Sequence, residues 1–344
     1  IRGRHGDSLF SDSLTIAGYS PMTAFVTRLS QAAPIIRPFC PEFHSMFLRR
    51  HPLALAFALS VATLTHAADE VQEDWQLKGQ ATYVSQKSRA FPAAYSALNS
   101  LNASGENSYT FTSTAYLGTR LWRGAEIYLN VEAGQGDPMS GLTGLGGFTN
   151  GEATRVSGNT LKAYRQRLFL RQTWGLGEES EYLESDFNQM AGRVAKDRFV
   201  LTVGNFSALD IFDDNAYAKD PRTQFLNWSN MAYSAYDYAA DARGFGWGFA
   251  AEWYQGDWVL RFGRMTGPKT PNGTDVDFRI AHHYGDQVEI EHAHTLAGHP
   301  GKIRLLAFRN RARLAAYTQA SDWLAANPGA DPQAINAVRN GERI

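Results

Sequence analysis

Between residues 125 and 133 the chain alternates without interruption. Ala125, Ile127, Leu129, Val131 and Ala133 are apolar, and Glu126, Tyr128, Asn130 and Glu132 between them are polar. Side chains of a strand point to opposite faces in turn, whereas a helix would scatter the apolar set around its circumference. The spacing predicts a strand. The stretch 109–121 behaves the same way, with Tyr109, Phe111, Ala115, Leu117 and Leu121 on one face. Thr110, Thr112, Thr114, Tyr116, Gly118 and Arg120 occupy the other. Trp122-Arg-Gly124 joins the two as a hairpin turn. Residues 75–84 predict an earlier strand, with Trp75, Leu77, Ala81 and Tyr83 sharing a face. Residues 247–253 and 258–262 predict a hairpin around Gly256, and residues 287–296 and 302–311 predict another.

The strand at 164–174 is polar where a core strand would not be. Simple alternation puts Arg165, Arg167, Phe169 and Arg171 on one face, with Leu168, Leu170 and Trp174 on the other. Strands of about ten residues with aromatics at their ends match the length and interfacial girdles of an outer-membrane barrel. Charges in mid-strand fit a water-filled lumen, and the connections alternate between short and long. A secreted β-sandwich also uses many short strands, so pattern alone leaves both architectures open.

Composition narrows the field. Apolar residues make up 44%, charged residues 19% and aromatics 12%, with a formal net charge of −1. A chain this apolar and this neutral is not a disordered one, nor a nucleic-acid binder working through bulk positive charge. Residues 46–67 read as a secretory signal peptide. Arg49 and Arg50 form the basic region, residues 52–64 the apolar one, and Thr65-His-Ala-Ala68 a small-residue cleavage site. The apolar stretch is too short to span a bilayer as a helix. Residues 1–45 are then expected to be upstream sequence outside the fold, and 68–344 the mature domain. Setting 1–67 aside removes six basic and three acidic residues from totals of 33 and 34, leaving a net charge of −4. It also removes the only cysteine, Cys40, so disulfide staples have no support. The segment 312–343 reads as helical in part, and no final strand is visible at the C-terminus.

Five motifs carry a family likeness: Ser140-Gly-Leu-Thr-Gly-Leu-Gly-Gly-Phe-Thr-Asn-Gly151, Arg167-Leu-Phe-Leu-Arg-Gln-Thr-Trp-Gly175, Val203-Gly-Asn-Phe-Ser-Ala-Leu-Asp-Ile-Phe-Asp-Asp-Asn215, Asp220-Pro-Arg-Thr-Gln-Phe-Leu-Asn-Trp228 and Asp237-Tyr-Ala-Ala-Asp-Ala-Arg-Gly244. Over about residues 75–317 the chain resembles the carbohydrate-selective porins (OprB-like) of the Gram-negative outer membrane. The resemblance implies an all-β fold, an antiparallel transmembrane β-barrel of 16 strands, a size that leaves an aqueous channel. It implies one pore per monomer and facilitated diffusion of glucose and related sugars. It also implies that a last group of strands is missing from these residues.

Such a channel needs no catalytic set, cofactor or metal. Its partners are mono- and oligosaccharides and the outer-membrane lipid. Guanidinium groups donate in a planar fork and carboxylates accept, so the pore-lining candidates are Arg165, Arg167 and Arg171 facing Glu126, Asn130 and Glu132. Tyr116, Tyr128 and Phe169 are candidates for stacking on sugar rings. The plainer alternative is that these Arg and Glu side chains pair with each other and only hold the wall. Asp210, Asp213 and Asp214 lack the spacing of a calcium loop and are expected to be solvated or paired with Arg222 or Arg243. His292 and His294 share a face without a third ligand. An outer-membrane barrel enzyme of the lipase kind would need a Ser partner for one of these histidines, and none is identifiable. A secreted sugar-binding β-protein is the remaining alternative.

Overall fold

A computed structural model describes residues 10–20, 70–96, 100–156, 158–312 and 317–330. Twelve strands are present among them: β1 (Phe10–Ser20), β2 (Trp75–Ser88), β3 (Glu106–Trp122), β4 (Ala125–Asp137), β5 (Lys162–Gly175), β6 (Ser180–Leu183), β7 (Gly192–Ala195), β8 (Arg198–Phe206), β9 (Gly246–Gln255), β10 (Trp258–Met265), β11 (Tyr284–Leu296) and β12 (His299–Arg311). A helix, α1 (Tyr317–Ala326), follows in the segment expected to be helical in part. Ten strands form one antiparallel sheet in the order β1-β2-β3-β4-β5-β8-β9-β10-β11-β12, and β6 and β7 pair as a separate hairpin. The sheet is a meander open at both edges. Among the described residues no helix is long and apolar enough to cross a membrane, which says nothing about strands.

The sheet is inside-out relative to a water-soluble one. Along β2 the buried positions are Gln76, Lys78, Gln80, Thr82, Val84, Gln86 and Ser88, all polar but Val84, while Trp75, Leu77 and Tyr83 are exposed. Along β3, Ser108, Thr110, Thr112, Thr114 and Tyr116 are buried, and Leu117 and Leu121 are exposed. A β-sandwich buries its apolar face; a barrel in lipid turns that face outward and keeps the polar one for its lumen. The exposed set therefore marks a lipid-facing wall. Leu129, exposed midway along β4, tests this directly. Leu129→Arg is expected to cost about 2–4 kcal/mol in a bilayer, read as folding stability in lipid vesicles, whereas a water-facing position would tolerate it.

The two rims differ. On one rim the chain turns in two residues, at Arg123-Gly124, Gly256-Asp257 and Ala297-Gly298. Gly124 is required there: its φ is +78°, and a Cβ would lie 2.2 Å from the Thr173 carbonyl oxygen. Trp75, Trp122, Trp174, Trp253 and Trp258 all sit at this end of their strands, exposed on the outer face. That is the interfacial girdle expected from the sequence. The other rim carries the long connections 89–105, 138–161, 207–245 and 266–283.

Three features depart from the sequence reading. Residues 10–20, expected outside the fold, pair as β1 with β2 from Phe10↔Lys87 to Ser20↔Leu77. The edge of β2 offers a row of open hydrogen-bonding groups, which another extended segment satisfies. β8 was not anticipated at all. The hairpin β6–β7 was likewise unforeseen. The signal peptide read at 46–67 lies outside the described residues, as does the helical pattern after Pro332.

Candidate functional site

Two long connections fold into the inner face and create the site. The 138–161 connection enters with a short 3-10 turn at Ala153–Arg155. The 207–245 connection leaves β8 through a 3-10 turn at Ala208–Asp210, closed by a capping box between Ser207 and Asp210. The two are tied to each other by backbone bonds from Gly151 to the Leu226 carbonyl, 2.8 Å, and from Trp228 to the Phe148 carbonyl, 2.9 Å.

Glu132 on β4 is wholly buried. A buried carboxylate is tolerated only with cations and hydrogen bonds around it, and the connections supply them. Arg222 pairs with Glu132 and donates from Nε to Glu152, 2.9 Å away. Its Nη1 also reaches Gln80 and Thr114, both at 3.2 Å. Arg155 lies 3.0 Å from Glu152 and 3.6 Å from Glu132. Thr114 at 2.5 Å, Gln166 at 2.6 Å and the Tyr164 hydroxyl complete the shell of Glu132. Thr112 donates to Glu152 at 2.6 Å. Four charges, two of each sign, thus rivet both connections to the wall made by β2–β5.

A second rivet lies beside it. Arg167 grips Asp210 through two parallel bonds of 2.7 Å each, the strong bidentate form. Burial alone would raise the Asp210 carboxyl, but the Arg167 charge and its hydrogen bonds outweigh burial and hold it below the ordinary aspartate range. A depressed carboxyl stabilises the docked state above its unfolded pKa and releases it as pH falls through the folded value. The expected outcome is that acid loosens this connection only below about pH 3.9, the ordinary aspartate value. A bilayer conductance series on acidification checks it, and a step near pH 5 would count against this pair as the hold. The third contact is on another wall, where the Asp213 amide donates to Glu289 of β11 at 2.8 Å. The 207–245 connection therefore touches β2, β3, β4, β5, β11 and β12.

The space left is a cavity of about 1190 Å³. Among the described residues its lining holds eleven basic and six acidic side chains, although the chain as a whole is slightly acidic. Arg261 belongs to it and bonds Glu289 at 2.8 Å and Glu291 at 2.9 Å. Arg304 bonds Glu291 at 2.6 Å.

The candidates separate into three groups. Tyr116, Glu126, Arg167, Phe169 and Arg171 line the cavity. Tyr128, Asn130 and Glu132 are buried on the inner face; the Tyr128 ring stacks on Phe169 at 5.1 Å. Arg165 is a correction. The register between β4 and β5 runs Asn130↔Arg167 and then Val131↔Arg165, so Gln166 forms a β-bulge. One extra residue reverses the faces beyond it. Gln166 is buried and meets Glu132, while Arg165 is exposed opposite lipid-facing Val131, 5.0 Å over the Trp247 ring.

The expected wall pairs also changed partners. Glu126 meets Arg120 at 2.8 Å, Glu132 meets Arg222 and Arg155, and Arg167 meets Asp210. Glu132 and Arg167 thus serve the inward connections, whereas Glu126 with Arg120 is a pair within the wall. Of the loop aspartates, Asp210 meets Arg167, and Asp214 is exposed and pairs with Lys219 at 2.5 Å. Sequence reasoning missed Arg155, Glu152 and Arg222 as members of the site. The available signal was Glu132 itself, a carboxylate on an inward strand face that demands a cation from elsewhere. Among the described residues no group of three or more His, Cys, Asp or Glu could hold a metal. His292 and His294 stack in parallel 6.1 Å apart, beside Trp258 in the girdle.

An open antiparallel wall with a lipid-facing exterior, a charged interior and inward connections defines a channel-forming outer-membrane protein. The family description "Carbohydrate-selective porin, OprB family" matches residues 99–342, and the chain belongs to that family. The family is one of outer-membrane sugar pores, which decides for the channel over the barrel enzyme and the secreted sandwich. No curated protein and no solved structure matches the chain.

Proposed function

We propose that sugars cross through the cavity between the wall of β2–β5 and the basic wall of β8–β12, and that the riveted 207–245 connection sets the narrow point. The observation that carries this is the inward fold of that connection onto Arg167, Glu132 and Glu289. A sugar ring offers hydroxyls at its edge and C–H faces above and below. Guanidinium donors of Arg167 and Arg171 and the carboxylate acceptor Glu126 suit the edge; Tyr116 and Phe169 suit the faces. No bond is made or broken, so no catalytic residue is needed. The tight-turn rim faces the periplasm and the long-connection rim faces outward, as in other such barrels. Export uses the leader at 46–67, and the pore works as a monomer in the lipid of the outer membrane.

Single-channel recording in a planar bilayer tests the reading, with glucose and then maltotriose titrated in. Discrete steps whose conductance falls as sugar rises are expected. Steps indifferent to every sugar would remove the carbohydrate site.

A further inference from the structure

Not every connection on the tight-turn rim is a two-residue turn. Between β5 and β8 the chain runs from 176 to 197 and carries the hairpin β6–β7. The tip of this hairpin, 184–191, does not project from the rim. It lies against the inner wall, held by four successive strands. From β2, the Lys78 ammonium donates to Ser185 Oγ at 2.6 Å and to the Asp186 carbonyl at 2.5 Å. From β3, the Tyr116 ring stacks on Phe187, 4.3 Å between centroids and 24° apart. From β4, the Tyr128 hydroxyl accepts from the Met190 amide at 3.3 Å. From β5, Arg171 donates to the Asn188 carbonyl at 2.9 Å. Glu73, just before β2, accepts from Ser185 Oγ and from the Ala191 amide, each at 2.7 Å. Asn188 takes the left-handed backbone at φ +57°, which folds the tip so that Phe187 meets Tyr116.

This tip is built, not draped. Lys78 is almost fully buried, and burying an ammonium is costly unless donors find acceptors. The acceptors, the Ser185 hydroxyl and the Asp186 carbonyl, are within reach only while the tip is docked. Asp186, Phe187, Asn188 and Gln189 line the same cavity as Arg198, Arg261 and Arg304.

We infer that residues 184–191 form a second filter at the tight-turn mouth, in series with the narrow point set by 207–245. It presents the Phe187–Tyr116 ring pair and the Asp186–Gln189 edge to a pyranose-sized solute, with guanidinium groups lining the same space. This rests on the sugar-pore reading above. The ring pair supplies a face for the C–H side of a sugar, and the tip narrows the exit for longer chains.

The test compares the porin with Phe187→Ala, Phe187→Tyr and a shortened variant in which 184–191 becomes Asn-Gly, a turn that closes β6–β7 directly. The readout is single-channel conductance with maltotriose as the probe. Aromatic contacts of this size correspond to a roughly three- to tenfold weaker maltotriose block in Phe187→Ala, with Phe187→Tyr restoring it. The shortened variant is expected to conduct more and to pass larger oligosaccharides. Unchanged conductance and block in both Phe187→Ala and the shortened variant overturn the filter. If the shortened variant fails to show heat-modifiable migration, Phe187→Ala and its Tyr rescue decide alone. Absence of sugar block in the unaltered porin would instead strike at the sugar-pore reading, so the two failures are distinguishable.

Discussion

Arg222→Met is expected to undock the 207–245 connection and widen the pore. Arg222 is 7% exposed and sits between Glu132 and Glu152, whose side chains are 0% and 1% exposed. Removing one member of a buried ionic cluster leaves uncompensated charge, at a typical cost of about 3–5 kcal/mol. Arg155 alone must then serve both carboxylates. The cost falls on docking rather than on the strand ladder, because β2–β5 remain hydrogen-bonded to each other. The measurable results are larger and noisier single-channel steps, weaker sugar block and preserved heat-modifiable migration. Combining Arg222→Met with Glu132→Gln is expected to recover part of the docking, since Arg155 then faces the single carboxylate of Glu152 and no charge is left over. Unchanged conductance in Arg222→Met would show that the connection is held by its other contacts.

The second large effect separates two arginines that are neighbours in sequence. Arg167→Ala removes both bonds to Asp210 and a donor from the cavity wall. Hydrogen bonds to charged groups contribute about 1.5–3 kcal/mol each, so sugar block is expected to weaken by on the order of tenfold or more. Arg167→Lys does not restore it, because an ammonium cannot make two parallel bonds to one carboxylate. Arg165→Ala is expected to leave sugar block and conductance unaltered, since Arg165 is on the lipid-facing side of the bulge. Equal effects from the two alanine variants would place both residues in the lumen and contradict the register of β4 against β5.

The fold was legible where one face is apolar and the other is not. Residues 125–133 announce β4 because every second position changes character. β8 gives no such signal: Val200, Leu201, Thr202 and Val203 put apolar or neutral groups on both faces. Its inner side packs under the 207–245 connection, where Phe206, Leu209 and Phe212 are buried together, so neither face needed to be polar. The bulge was illegible for a different reason. Arg165-Gln-Arg167 fits simple alternation, and nothing local shows that two residues of β5 oppose one of β4. The site was legible only on its wall. Tyr116, Glu126, Arg167, Phe169 and Arg171 follow from strand phase, but their partners lie on connections far along the chain, as with Arg222 and Glu132. Strand phase carries no information about where a loop returns.

The bulge at Gln166 makes β5 behave like a message with one spare letter. Without that residue Arg165 would still stand opposite Val131 and Tyr164 opposite Glu132, so no side chain would change face. Residues 168–175 would keep their partners on β8. What a single deletion removes is the inward amide that bonds Glu132. A lineage carrying this sheet could thus trim one polar group from the lumen wall and leave the rest of the wall in place, and closely related pores one residue shorter before the Arg-Leu-Phe-Leu-Arg run are where such a loss would be recorded.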